Sequence, residues 1–185
     1  MKNSQMKIYA TFLQRVAAFL LDYGIILVYL GAITLFSLLM NSLFSVNQWL
    51  FTDRIRAQLT GFLLITLPVS LYFVFSESSI RQATWGKQRL GLKVTDRTGN
   101  RIAFWRAVAR TGLKFIPWEL AHTLIWQISF TPNQFSQLVI AGFVTVYLLI
   151  GANIASLIFR KDRQTLYDFL AGTYVVKHNF SRKVS

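Results

Sequence analysis

Long apolar segments separated by short polar stretches dominate the chain and predict membrane-spanning helices. Residues 12–40, 59–77 and 136–159 are almost entirely apolar, and about 20 such residues are enough for a helix to cross a bilayer. Pro68 lies within the second segment, where it removes one helical hydrogen bond and predicts a kink. The first segment is too long for a cleavable signal peptide, so we expect it to remain in the mature chain.

Residues 104–130 are more polar and predict two kinds of helix in succession. Arg106, Arg110 and Lys114 recur every four residues, which places three cations on one helical face. We interpret this basic part as an amphipathic interfacial helix and residues 112–130 as a further transmembrane helix. The alternative is a three-span protein in which residues 104–130 are re-entrant.

The polar loop 78–111 contains a β-prone stretch. Residues 91–96 alternate apolar and polar side chains and residues 96–100 are rich in turn formers, which predicts a short β-hairpin. A third β-prone run at 173–177 could pair with it. The sequence therefore predicts one domain over residues 1–185, an all-α membrane protein of four transmembrane helices, an amphipathic interfacial helix and a small cytoplasmic β-hairpin.

Composition agrees with a membrane protein, since 54% of the residues are hydrophobic and only 15% are charged. The formal net charge of +13 could indicate a nucleic-acid partner. However, nine of the 20 Lys and Arg lie between residues 81 and 114, six follow residue 159, and three lie at or before Arg15. Membrane topology explains this clustering better, so we expect no nucleic-acid partner.

The distribution of basic residues also predicts the orientation of the chain. Cytoplasmic loops of membrane proteins are enriched in Lys and Arg, so we expect the loop 78–111, the tail 160–185 and the N-terminus in the cytoplasm. The loops 41–58 and 131–135 are then outside. The predicted location is the bacterial inner membrane, as a multi-pass protein whose main partner is the lipid bilayer.

Asp22 is the most costly ionisable residue in a predicted span. It lies about ten residues, or roughly 15 Å, into the first helix, near the midplane of an apolar core about 30 Å thick. Such groups are functional candidates by default. Asp22 either binds an ion or proton, or is a structural residue bonded to a neighbouring helix. Arg15 lies on the same face but is too far along the helix axis for a direct pair.

Two further polar groups interrupt the predicted span at 112–130. Glu119 and His122 are three residues apart and share a helical face, as a polar lining or proton relay would. The structural alternative, which we favour, is a polar side turned toward the other helices or the interface. Arg106, Arg110 and Lys114 are candidates for contact with anionic lipid headgroups.

Motifs of soluble enzymes and metal sites are missing from the sequence. It has no cysteine, and its two histidines are far apart, which argues against a metal site. Residues 84–87 resemble part of a phosphate-binding loop but lack the upstream glycine spacing. We therefore predict no enzymatic activity, no cofactor and no bound metal.

Three stretches together resemble the RDD family of small bacterial membrane proteins, named for one Arg and two Asp. They are QRVAAFLLD at 14–22, TWGKQRLGLKV at 84–94 and RQTLYDFLAGT at 163–173. The resemblance covers roughly residues 8–178.

By position, the resemblance identifies Arg15 and Asp22 as the Arg and the first Asp of the family, and Asp168 as the second Asp. Residue 167 is Tyr where the family often has His, which weakens a proton-transfer role at that position. Residues 166–176 are too apolar for a free tail. We therefore expect the tail after Arg163 to fold back and bring Asp168 within salt-bridge reach of Arg15.

The family resemblance implies transport, or an accessory role in the membrane. Our first hypothesis is a small transporter coupled to a monovalent cation and protons, as in an antiporter, with Asp22 as the titrating group. A homodimer would give a small chain a more credible pore. The alternative is a non-catalytic adaptor or regulator of a partner membrane protein.

Overall fold

Three long apolar helices form the part of the molecule suited to a membrane. The computed structural model describes residues 8–132 and 136–177. Within them, helix α1 (Phe12–Phe44), the continuous helix Arg54–Ser78 and helix α7 (Gln137–Phe159) are long and apolar enough to span a bilayer. Few of their side chains are buried inside the protein, as expected for helices that face lipid. The three apolar segments of the sequence are thus confirmed as candidate spans.

The second span is interrupted by a π-helical turn that lies just before Pro68. Its parts are α3 (Arg54–Gly61), the π turn (Phe62–Thr66) and α4 (Leu67–Ser78). Because proline has no N–H, the carbonyl of Leu64 loses its usual helical donor. The hydroxyl of Tyr29 on α1 donates to that carbonyl at 2.6 Å. The disturbance predicted at Pro68 is therefore absorbed by a wider turn and a bond from the neighbouring helix.

The region predicted to contain two helices is a single one. Helix α6 (Phe104–Phe130) continues through Pro117 for 27 residues, about 40 Å at 1.5 Å per residue. It packs against α4 on one side and α7 on the other. The predicted division into two successive helices is therefore wrong, whereas the interfacial position of the basic part stays a prediction. Proline removes one hydrogen bond, which packing on both sides can offset.

A compact polar layer, here called the cap, sits at one end of the long helices. Its elements are α5 (Trp85–Arg89), β1 (Leu92–Thr95), α8 (Leu166–Leu170) and β2 (Tyr174–Lys177). The two strands pair antiparallel, from Leu92 opposite Lys177 to Thr95 opposite Tyr174. The cap is joined to the start of α1 by a backbone bond from Ala10 N to Val175 O of 2.9 Å.

The predicted local β-hairpin is wrong, although its first strand is present. The Asp96 carboxylate accepts bonds from the backbone N–H groups of Thr98 and Asn100, which closes a tight turn. The chain then enters α6 instead of returning as a strand. The β-prone run near the C-terminus supplies the partner strand, so the sheet joins segments about 80 residues apart.

The remaining connection is short, and two predicted regions are only partly described. A short helix, α2 (Val46–Leu50), follows α1 in the loop predicted to lie outside. Residues 133–135 of the predicted outer loop 131–135 lie outside the described residues. The same is true of residues 178–185 of the predicted tail.

Candidate functional site

Asp22 is fully enclosed, and all its partners are hydrogen-bond donors. It is 1% exposed. Its carboxylate accepts a bond of 2.5 Å from the Thr84 hydroxyl, one of 2.7 Å from the Gly86 N–H and one of 2.8 Å from the Tyr72 hydroxyl. The Tyr72 oxygen in turn accepts from the Trp85 N–H at 3.1 Å. Asp22 therefore anchors the start of α5 to α1 and α4.

This arrangement explains how a carboxylate is accommodated inside the first span. The sequence predicts residues 84–86 in a loop outside the bilayer, yet the structure folds this segment onto α1 at the level of Asp22. Gly86 makes the approach possible: a Cβ atom added there would lie 2.1 Å from the Ala18 carbonyl oxygen. The polar partner that Asp22 needs is thus supplied by the cap and by Tyr72.

Near Asp22, five other charged side chains form a chain of ion pairs with alternating sign, here called the charged cluster. Arg15 forms an ion pair with Asp168, and Arg110 pairs with Asp168 at 2.8 Å. Arg110 also pairs with Glu77, whose other oxygen is 2.8 Å from the Lys87 ammonium. The side chains of Asp168 and Glu77 are 0% exposed and that of Arg110 is 2% exposed. The predicted pairing of Arg15 with Asp168 is confirmed.

Asp168 is held by its own helix as well as by the two arginines. It is the third residue of α8, and its carboxylate and the Thr165 hydroxyl form a capping box at the start of that helix. Arg15 also donates to the Arg163 carbonyl at 2.6 Å. Burial raises the pKa of Asp168, but Arg110 and Arg15 outweigh burial and hold the pKa below its usual range. The tail therefore folds back as predicted, with Asp168 as an anion.

The basic stripe of α6 does not point uniformly outward. Arg110 is enclosed by protein and paired with two carboxylates, so its predicted contact with lipid headgroups is corrected. The Lys114 ammonium lies 3.0 Å from the centre of the Phe73 ring. Arg106 is exposed and keeps its position as a candidate for headgroup contact. The spacing of four residues places Arg106, Arg110 and Lys114 on one side of α6. Which of them is buried depends on how far α4 and the cap extend over that side.

A cavity of about 70 Å³ is bordered by Asp22 and by members of the charged cluster. It is partly open and is bordered by α1, α4, α5, α6, α8 and β2. Arg15 and Asp22, which the sequence places on one face of α1, both border it. The residues that line it are Arg15, Phe19, Asp22, Phe73, Lys87, Arg110, Lys114, Tyr167 and Val175.

Glu119 and His122 lie elsewhere and do not border this cavity. The Glu119 carboxylate accepts a bond of 2.9 Å from the Gln58 amide and a second bond from the Thr66 hydroxyl. The Nδ1 atom of His122 is 3.0 Å from the Trp118 carbonyl oxygen one turn earlier. This geometry joins α6 to the second span through Glu119, as the structural alternative predicts.

The sequence does not predict two charged members of the site, Glu77 and Lys87. Glu77 ends an apolar segment, a position at which an acidic residue ordinarily marks the return to water. The chain has only seven Asp and Glu against 20 Lys and Arg. This scarcity of acidic residues is the one feature of the sequence that marks Glu77 as a partner for buried cations. Among the described residues, no group of three or more His, Cys, Asp or Glu side chains could hold a metal ion.

Comparison with protein-family models finds a match to the RDD family over residues 9–172. The matched range includes all three long helices, the charged cluster and Asp22. No curated protein and no solved structure matches the chain.

Proposed function

The chain belongs to the RDD family of membrane proteins, and from this premise we propose that it is a small ion transporter of the cell membrane. One observation carries the proposal: Arg15, a member of the charged cluster, and Asp22, which lies outside that cluster, both border a partly open cavity among the long helices. Ionisable groups around a cavity at membrane depth are typical of ion pathways. The cavity is the site at which we place the ion.

The structure bears on which ion is carried. The sequence hypothesis couples a monovalent cation to protons at Asp22. However, the Asp22 carboxylate already accepts three hydrogen bonds, and the same cavity is bordered by Arg15, Lys87, Arg110 and Lys114. A further cation would meet repulsion from these side chains. The charge around the cavity therefore opposes the cation-coupled form, while an ion pathway at this place remains the proposal.

The first functional prediction is that Asp22→Asn keeps the fold and changes ion flux according to the sign of the ion. Asn retains one oxygen for the Gly86 N–H and the Tyr72 hydroxyl, and its amide can donate to the Thr84 hydroxyl. The expected loss of stability is therefore about 1 kcal/mol. Asn removes a negative charge that borders the cavity, so in proteoliposomes any cation flux should fall at least tenfold, whereas anion flux should be kept or rise. The measurement is uptake of monovalent cations and of small anions, each with and without a pH gradient.

The matched control is Asp53→Asn, which removes an exposed carboxylate that caps α3 and should leave flux unchanged. Asparagine is also a good helix cap. If wild-type vesicles carry neither cations nor anions above protein-free vesicles, the transporter proposal fails.

The second candidate function is a non-catalytic adaptor or regulator of a partner membrane protein. It is favoured by large apolar side chains exposed around the cap, including Ile80 at 87%, Trp105 at 76% and Leu170 at 60%. Such side chains suit contact with a partner, a second copy or lipid. A wild-type protein without ion flux would move this function to first place.

We also propose a four-span topology in which α6 is the third span and both termini are cytoplasmic. The prediction is that, in intact cells, a membrane-impermeant thiol reagent labels Thr52→Cys and spares both Asn100→Cys and Lys161→Cys. All three positions are exposed, and the chain has no cysteine of its own to add background. Labelling of Lys161→Cys with Asn100→Cys protected would instead indicate three spans with a re-entrant α6.

A further inference from the structure

The walls of the cavity carry more positive than negative charge. Arg15, Lys87, Arg110 and Lys114 all line it. Of the described residues that line it, Asp22 is the only carboxylate, and its oxygens are taken by three donors. Glu77 and Asp168 do not line the cavity, but they form ion pairs with three of these cations, Arg15, Lys87 and Arg110. When Lys114 is protonated, four cations face three carboxylates and one positive charge is left over.

Lys114 is the source of this excess. Among residues 8–132 and 136–177 no carboxylate lies within 4.0 Å of its ammonium, which instead sits over the Phe73 ring. The Lys87 ammonium is 5.6 Å from the centre of the same ring. Two like charges therefore share one aromatic ring in a largely enclosed space. Their repulsion would be relieved by an anion placed between them.

Arg15 adds an independent sign of a missing partner. Its side chain is 10% exposed, and both terminal nitrogens are bonded, to Asp168 and to the Arg163 carbonyl. Its Nε–H is buried and has no partner within the described residues. A buried donor without an acceptor destabilises the folded state. An anion in the cavity that Arg15 lines could accept this bond.

From these observations we propose that the cavity binds a small inorganic anion, of the size of chloride, between Lys114, Lys87 and Arg15. About 10–15 Å³ of such space holds one water molecule, so about 70 Å³ accommodates a halide together with a few waters. Phe19, Phe73 and Val175 complete the wall with apolar surface, which suits a weakly hydrated monovalent anion. The inference rests on the proposed function, because it names the class of ion the transporter would carry.

The test measures the thermal unfolding of the full chain in detergent as sodium chloride replaces sodium gluconate at constant ionic strength. Gluconate is too large for the cavity. If the chloride concentration is about five times the dissociation constant, the unfolding temperature of the wild type should rise by about 2–4 °C. Lys114→Gln should abolish this rise. Arg106→Gln, which removes an exposed cation from the same helix, should keep it.

A second variant guards against a misfolded Lys114→Gln. Lys114→Arg keeps the charge and should keep the chloride response. The inference is overturned if wild type and Lys114→Gln respond equally to chloride. It is also overturned if stability follows the cation when choline replaces sodium at constant chloride. Chloride binding without flux of any ion in vesicles would leave this inference standing and remove the transporter, whereas cation flux without a chloride response would do the reverse.

Discussion

Gly86→Ala is expected to destabilise the protein by about 3 kcal/mol or more. The new Cβ would lie 2.1 Å from the Ala18 carbonyl oxygen and 3.0 Å from the Asp22 carboxyl group. The first contact is with helix backbone, which cannot rotate away. Overpacking of this kind costs about 1–3 kcal/mol, and displacing the Gly86 N–H from Asp22 adds about 1–3 kcal/mol for an unsatisfied buried acceptor.

The measurement is the unfolding midpoint in detergent, which should fall by about 6 °C or more for a chain of this size. Gly112→Ala is the matched control, since nothing lies within 4 Å of its added Cβ. Because alanine favours a helix over glycine by about 0.5–1 kcal/mol, this control should be neutral or slightly stabilising. A wild-type midpoint for Gly86→Ala would mean that α5 does not lie against α1 as described.

The role of Gly86 illustrates what the sequence could and could not predict. The apolar runs fix the long helices, because about 20 apolar residues in succession suit few other structures. The need for Asp22 to have a partner was also clear. The sequence did not identify residues 84–86 as that partner, because hydrogen bonds between distant segments leave no periodic signal in the sequence. The glycine is explained only once the two segments are seen in contact.

The three cations of α6 show a related limit. A spacing of four residues places Arg106, Arg110 and Lys114 on one face, but a face is wide enough to be partly covered. Arg110 forms ion pairs with Glu77 and Asp168, Lys114 lines the cavity, and Arg106 is exposed. Helix periodicity predicts the direction of a side chain. Burial depends on the neighbouring elements, and here two of those are remote in sequence.

The pair of Arg15 and Asp168 was predictable for a different reason. The family resemblance placed both residues, and the apolar tail needed to fold back onto something. The number of partners was not predictable: Asp168 binds Arg110 as well as Arg15. This extra partner changes the expected result of mutating either member of the pair.

Asp168→Asn is therefore expected to cost about 3–5 kcal/mol at neutral pH, because it leaves two buried guanidinium groups without their shared counter-charge. Arg15→Gln should cost less, about 1.5–3 kcal/mol, because Asp168 keeps Arg110 as its partner at 2.8 Å. The double variant should be hardly less stable than Asp168→Asn alone. The measurement is a double-mutant cycle on unfolding free energies. Strictly additive losses would contradict a direct interaction between the two side chains.

The pH dependence separates the charge of Asp168 from its shape. Arg110 and Arg15 hold the folded-state pKa of Asp168 below its usual range, even though burial alone would raise it. A group with a lowered folded pKa contributes stability above its unfolded pKa, about 3.9 for Asp, and loses that contribution as the pH falls toward the folded pKa. The gap between wild type and Asp168→Asn should therefore be constant from about pH 5 to pH 8 and shrink below about pH 4. A gap that stays the same at pH 3 would indicate that the asparagine variant loses packing or hydrogen bonds and not an ion pair.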